Sequence, residues 1–174
     1  MFKPKTFSLF MQPVKFLAAA IASVVLVVTQ SSALAAQEAA FLLDLPCVDI
    51  DGKKSNDFEA TRNYFSVNRQ FLNGVMRAYP GAAMTCKLPE INSGGLLLKL
   101  QFGIHDAQAK SSPITVNLYL DGLMFASETV VPGEIKNLLV GTNEAKSFAL
   151  EAKCADSSCN NWLYFSQAQV EAVQ

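Results

Sequence analysis

Ile114-Thr-Val-Asn-Leu-Tyr-Leu-Asp-Gly-Leu-Met-Phe-Ala-Ser127 decides the fold class. Ile114, Val116, Leu118 and Leu120 alternate with Thr115, Asn117 and Tyr119, so a strand here has one apolar and one polar face. Asp121-Gly122 then offers the two positive-φ positions of a tight type I′ hairpin, after which the strand pattern resumes. The same grammar repeats on either side. Leu96, Leu98, Leu100, Phe102 and Ile104 share a face opposite Lys99 and Gln101. Pro132-Gly133 and Gly141-Thr-Asn-Glu bracket another apolar run, Phe148, Leu150 and Ala152 alternate toward Cys154, and 163–173 makes a closing strand. Short strands with turns at this spacing predict an all-β chain, an antiparallel β-sandwich of jelly-roll type.

Upstream the signal is looser. Phe41-Leu-Leu and Leu45-Pro-Cys-Val predict an edge strand within 40–50, since proline cannot donate to a ladder. Residues 51–63 read as a polar loop. Over 64–79, Asn73-Gly74 predicts a turn between two short strands, with a helix over 62–72 as the rival; 82–88 is a further strand.

The first 35 residues have the form of a secretory signal peptide. Lys3, Lys5 and Lys15 precede a twelve-residue uncharged apolar run, Leu17 to Val28, and Ala33-Leu-Ala35 suits a cleavage site. A spanning helix needs about 20 apolar residues, so a membrane anchor is the weaker reading. Cys47 lies well past the run and follows Asp44-Leu-Pro, which argues against a lipoprotein. Cleavage would leave one domain, 36–174, in the periplasm or outside the cell, without a membrane span. It would also remove 3 of the 14 basic residues, leaving 11 against 15 acidic ones, net −4. That balance excludes a nucleic-acid footprint.

Cys47, Cys86, Cys154 and Cys159 all fall in the exported part, and an even count there points to disulfides. Three connectivities are open; nearness in sequence favours 154–159 with 47–86. In the chain-entropy picture the short bridge is worth roughly 2 kcal/mol and the long one roughly 4. Zinc at Cys154 and Cys159 is the alternative, with loose spacing and a single histidine in the chain.

Taken in order, Phe71-Leu-Asn-Gly-Val75, Leu98-Lys-Leu-Gln-Phe-Gly-Ile-His-Asp106, Val116-Asn-Leu-Tyr-Leu-Asp-Gly122, Lys146-Ser-Phe-Ala-Leu150 and Cys159-Asn-Asn-Trp162 resemble the NPCBM family of carbohydrate-binding modules over about 41–173. That family has the galactose-binding-like jelly roll. The matching features are Gly74, Gly103 with Asp106, Asp121-Gly122, and Trp162 before the last strand. His105 before Asp106 and the cysteine-closed loop before Trp162 depart from its pattern. The resemblance implies a non-catalytic module that binds carbohydrate; a structural or protein-interaction module of the cell envelope is the alternative.

Candidate site residues follow from chemistry. Pyranoses stack their C–H faces on aromatic rings, so Trp162 with Tyr164, two residues on, would form a platform on one face. The competing expectation is that Trp162 plugs the core, and the resemblance implies a structural role for it. Tyr119 and Asn117, on the polar side of their strand, are the second pair, and Tyr79 beside Pro80-Gly81 is a lesser one. His105-Asp106 invites a general-base reading, but neighbouring strand residues point to opposite faces; a solvated or capping histidine is expected. Ser111 and Ser112 are too generic to be nucleophiles, and no carboxylate pair for glycoside hydrolysis stands out. No enzyme, cofactor or metal ligand is therefore assigned. The oxygen-rich run from Asp49 through Asp51 to Asp57 misses the EF-hand offsets; the resemblance leaves a structural calcium there as an option.

Overall fold

A computed structural model describes residues 39–49, 57–91, 94–108, 110–156, 159 and 161–173. Residues 1–35, expected to be a signal peptide, and Asp51 lie outside the described residues. The strands are β1 Ala40–Phe41, β2 Cys47–Val48, β3 Phe58–Ala60, β4 Tyr64–Val67, β5 Gln70–Asn73, β6 Met76–Ala78 and β7 Ala83–Lys87. Then come β8 Gly95–Ile104, β9 Ile114–Leu120, β10 Leu123–Val130, β11 Ile135–Gly141, β12 Ser147–Cys154 and β13 Leu163–Val173. Two large sheets form, one running β11-β8-β13-β6-β3 with β1 added to β13 and the other β10-β9-β12-β7-β2, while β4 and β5 pair as a separate two-stranded ribbon. All pairings are antiparallel, as the sequence predicts. No helix among the described residues is long and apolar enough to cross a membrane.

The alternating residues behave as their period dictates. Leu98, Leu100 and Phe102 of β8, Ile114, Val116 and Leu118 of β9, and Phe148, Leu150 and Ala152 of β12 are all buried in one core between the sheets. Phe165 of β13 completes it against Phe58 and Phe102, with ring centroids 6.2 and 5.5 Å away. Asp121 and Gly122 take φ of 46° and 81°, the left-handed pair of a type I′ turn. The Asp121 carboxylate also accepts from the Lys146 and Ser147 amides at 3.0 and 2.9 Å, tying the hairpin to the start of β12.

Four expectations are corrected. The stretch 51–63, expected as a polar loop, holds a strand, because Phe58–Ala60 pairs with β6. The edge strand within 40–50 is broken: Leu42–Asp44 makes a 3₁₀ turn between β1 and β2, and Pro46 stands outside both. Residues 62–72 are not helical. The turn in that region lies at Asn68-Arg69, φ 51° and 62°, and not at Asn73-Gly74. Gly74 serves close approach instead: a Cβ there would sit 2.7 Å from the Asn63 carbonyl oxygen.

The disulfides join Cys47 to Cys86 and Cys154 to Cys159. Cys47 and Cys86 face one another across the β2–β7 ladder. Two bridges mark a chain that folds in an oxidising compartment. With their sulfurs bonded to one another, Cys154 and Cys159 offer no thiolate to a metal in this state. Asp156 stands beside Cys154 and Cys159, but as a neighbour of a bridge.

Candidate functional site

The four sequence-nominated residues divide between two outward faces. Asn117 and Tyr119 lie on the solvent side of the five-stranded sheet, whereas Tyr164 lies on that of the six-stranded sheet and Trp162 immediately precedes its strand. A sandwich turns these faces away from each other, so the four do not form one site.

Around Tyr119 the sheet face is organised by Glu151. β9 pairs with β12 so that Asn117 opposes Glu151 and Tyr119 opposes Ala149. The Tyr119 hydroxyl donates to Glu151 Oε2 at 3.0 Å and the Asn117 amide to the same oxygen at 3.1 Å. Lys153 Nζ pairs with Oε1 at 2.9 Å, and Ser127 donates to Asn117 Oδ1 at 2.7 Å. Because the hydroxyl reaches Glu151 on the neighbouring strand, the Tyr119 ring leans across the sheet. Beside it, Ala83, Thr85 and Ala149 leave a depression of about 200 Å³. Small residues next to an aromatic ring and a polar cluster give a concave, mixed surface suited to a small polar ligand.

The electrostatics fit a fixed scaffold. Desolvation pushes the Glu151 carboxyl up, but the Lys153, Asn117 and Tyr119 hydrogen bonds outweigh it and hold the group below its ordinary value. Glu151 in turn raises the Tyr119 phenol, so the hydroxyl stays protonated. Asn117 is only 5 % exposed and has both ends of its amide bonded. It therefore positions Glu151, and the surface offered to solvent is Tyr119, Lys153 and the depression. Glu151, Lys153 and the alanine gap were invisible in the sequence, because only the β9–β12 register brings them to Tyr119.

On the other face the rings are already engaged. The Arg77 guanidinium lies 4.1 Å over the Trp162 ring, and Tyr79 meets that ring edge-on at 5.4 Å. Arg77 is itself held by Glu59 at 2.7 Å. Both backbone polar groups of Trp162 bond the Gln108 side-chain amide, at 3.1 and 3.2 Å, in the amide orientation that satisfies both. Phe65 stacks on Tyr164 at 5.0 Å. Trp162 is half-buried, neither core plug nor open platform.

His105 and Asp106 serve loops. His105 Nδ1 accepts from the Ala107 amide at 2.9 Å, a capping role. The Asp106 carboxylate accepts from the Asn68 and Arg69 amides at 2.8 and 3.1 Å. Ser112 donates to Asp156, and Ser111 donates to the Gln108 carbonyl. A larger hollow of about 630 Å³ lies by Lys87, Pro89, Glu90, Asn143 and Lys146, with mixed charge and no aromatic wall.

No family model matches the chain. No curated protein matches it either. Solved structures do. The CBM51-2 and INT domains of Clostridium perfringens ZmpB align with TM-score 0.60 at 15% identity, covering 78% of this chain and 32% of that one. The tandem CBM51 modules of Sp3GH98, the family 98 glycoside hydrolase from Streptococcus pneumoniae SP3-BS71, give TM-score 0.60 at 11% identity, covering 78% and 47%. CBM51 from Clostridium perfringens GH95, in complex with methyl-galactose, gives 0.57 at 12% identity, covering 76% and 99%. This chain thus spans about a third of the ZmpB structure and matches the single GH95 module nearly end to end. Its fold is the jelly-roll sandwich of the CBM51 carbohydrate-binding modules.

Proposed function

We propose that this is an exported, non-catalytic module, acting in the periplasm or outside the cell, that binds neutral carbohydrate on the solvent face of its five-stranded sheet. The observation that carries the reading is Tyr119, its hydroxyl tied to Glu151 so that the ring leans over Ala149 beside an open depression. A pyranose would stack its C–H face on that ring, while Lys153 and Thr85 meet hydroxyls at the margin. The shared fold with modules whose solved complexes hold sugars supports the class of ligand. A buried, doubly bonded Asn117 and a Glu151 held ionised keep the ring in place before any ligand arrives, which lowers the entropic cost of binding. The same Glu151 is engaged by three partners, and this fixed structural role suits a recognition surface.

The test is retention of the chain on immobilised galactan, glucan and chitin. Tyr119→Ala is expected to lower affinity about tenfold, the size of one stacking contact. The single tryptophan adds a control: Trp162 lies with Arg77 and Tyr79, away from Tyr119, so sugar binding leaves its emission unchanged. A folded protein that no glycan retains would sink the proposal. The second reading, a protein-interaction module of the envelope, draws on the tip of β10, where Leu123, Met124 and Phe125 stand exposed on a sheet edge.

A further inference from the structure

The short β4–β5 ribbon has two unlike sides. Phe65 and Val67 are buried against the outer face of the six-stranded sheet, Phe65 on Tyr164 and Val67 over Gly103. On the ribbon's other side, Tyr64 is 63 % and Phe71 74 % exposed, and their rings stack at 4.8 Å and 21°. Tyr64 faces Asn73 across the ladder and Ser66 faces Phe71, so the aromatic diagonal is crossed by a polar one. Arg62, also exposed, flanks Tyr64.

Such a pair is neither core nor loose. The ribbon is pinned at its turn by Asp106 and at its open end by the Gly74 amide donating to the Asn63 carbonyl at 3.0 Å. The rings are therefore presented on a fixed support, in parallel, with a carboxamide beside them. Paired aromatics held in water on a rigid element mark a recognition surface, and flat rings beside hydrogen-bond donors match the apolar face and hydroxyl rim of a pyranose. An exposed aliphatic tip such as Leu123-Met124 lacks that geometry.

We propose that the Tyr64–Phe71 stack is a second glycan platform, with Asn73 and Arg62 as its polar rim. It sits on the opposite side of the sandwich from Tyr119. If the sheet-face reading under Proposed function also holds, on which this consequence rests, one domain bridges two glycan chains.

The experiment uses the full chain on the same galactan, glucan and chitin, together with precipitation of a long soluble galactan. The variants are Tyr119→Ala, the ribbon pair Tyr64→Ala with Phe71→Ala, and all three together. Tyr119→Ala should keep measurable retention, weakened about tenfold or less, while the triple variant loses it. Wild type should precipitate the soluble polymer, and the variants with one platform should bind without precipitating it. Phe71→Tyr, which preserves the stack, should behave as wild type, and thermal midpoints confirm that each variant is folded. Tyr119→Ala abolishing all retention overturns the second platform; so does a ribbon pair with wild-type affinity and precipitation. Retention that survives Tyr119→Ala unweakened but vanishes with the ribbon pair upholds the ribbon and removes the sheet face instead.

Discussion

Tyr119 and Tyr164 occupy matching places, each on the outward side of an inner strand in one of the two sheets. Their surroundings differ. Tyr119 lies on an open face with alanines beside it; Tyr164 lies beneath Phe65 of the β4–β5 ribbon. The strand pattern is the same in both, polar outward and apolar inward, so alternation does not decide which face stays free. That is settled by ten residues elsewhere in the chain, 64–73, which fold over one sheet and leave the other bare. The covered face is paid for in small residues: a Cβ on Gly103 would lie 2.9 Å from both Val67 Cγ2 and the Glu134 carbonyl oxygen.

If that contrast is right, the same truncation has different consequences on the two faces. Phe65→Ala removes a buried ring from under the ribbon and should cost about 3 kcal/mol, read as a lowered urea midpoint. Tyr119→Ala loses one hydrogen bond and little burial, and should cost about 1 kcal/mol. Equal losses would break the comparison. Gly103→Ala comes between, at about 2 kcal/mol, because Val67 must give way against a fixed carbonyl. Its mark is local: proteolysis at the Asn68-Arg69 turn should rise while the core of Phe102, Phe148 and Phe165 keeps its protection.

How much of this was legible in the sequence follows the range of the interactions involved. Strands β8, β9 and β12 are long and alternating, so a period of two located them, while the turns around β10 and β11 marked those two. The Asp121-Gly122 turn was readable because both of its positive-φ residues are types that favour that conformation. Asn68-Arg69 was not, since arginine carries no such signal. That turn depends on Asp106, 38 and 37 residues away, whose carboxylate takes both turn amides. Asn73-Gly74 drew the reading instead, although Gly74 is there to let the Asn63 carbonyl come close. The site split for the same reason. Asn117 and Tyr119 share a strand and so can be read together, but Glu151 and Lys153 join them only through register. Tyr64 and Phe71 do not stand out as site residues in the sequence, because a buried and an exposed aromatic look alike until the ribbon's inner side is known.

Acid should sharpen the contrast by its smallest effect. The Arg69 amide, then Asn68, Ser66 and His105, hold the Asp106 carboxyl below its ordinary value against some desolvation. An unfolded aspartate titrates near 3.9, so this contribution is complete above about pH 4 and is lost as pH falls through the lower folded value. Glu151 is also depressed, and its contribution is likewise lost on acidification, from an unfolded value of about 4.3. The structural results differ. A protonated Glu151 can still accept from Asn117 and Tyr119, and its carboxyl's partners among the described residues are side chains. A protonated Asp106 keeps one good acceptor oxygen where two amides each had their own, in a turn whose left-handed residues are otherwise unfavourable. Amide exchange below pH 4 should therefore open at Asn68 and Arg69 before any change at Tyr119. Asp106→Asn, with a single acceptor oxygen for two donors, should show the same opening at neutral pH and lose the acid dependence. Protection at Asn68 and Arg69 that is indifferent to both would mean that the ribbon rests on Phe65 and Val67 alone.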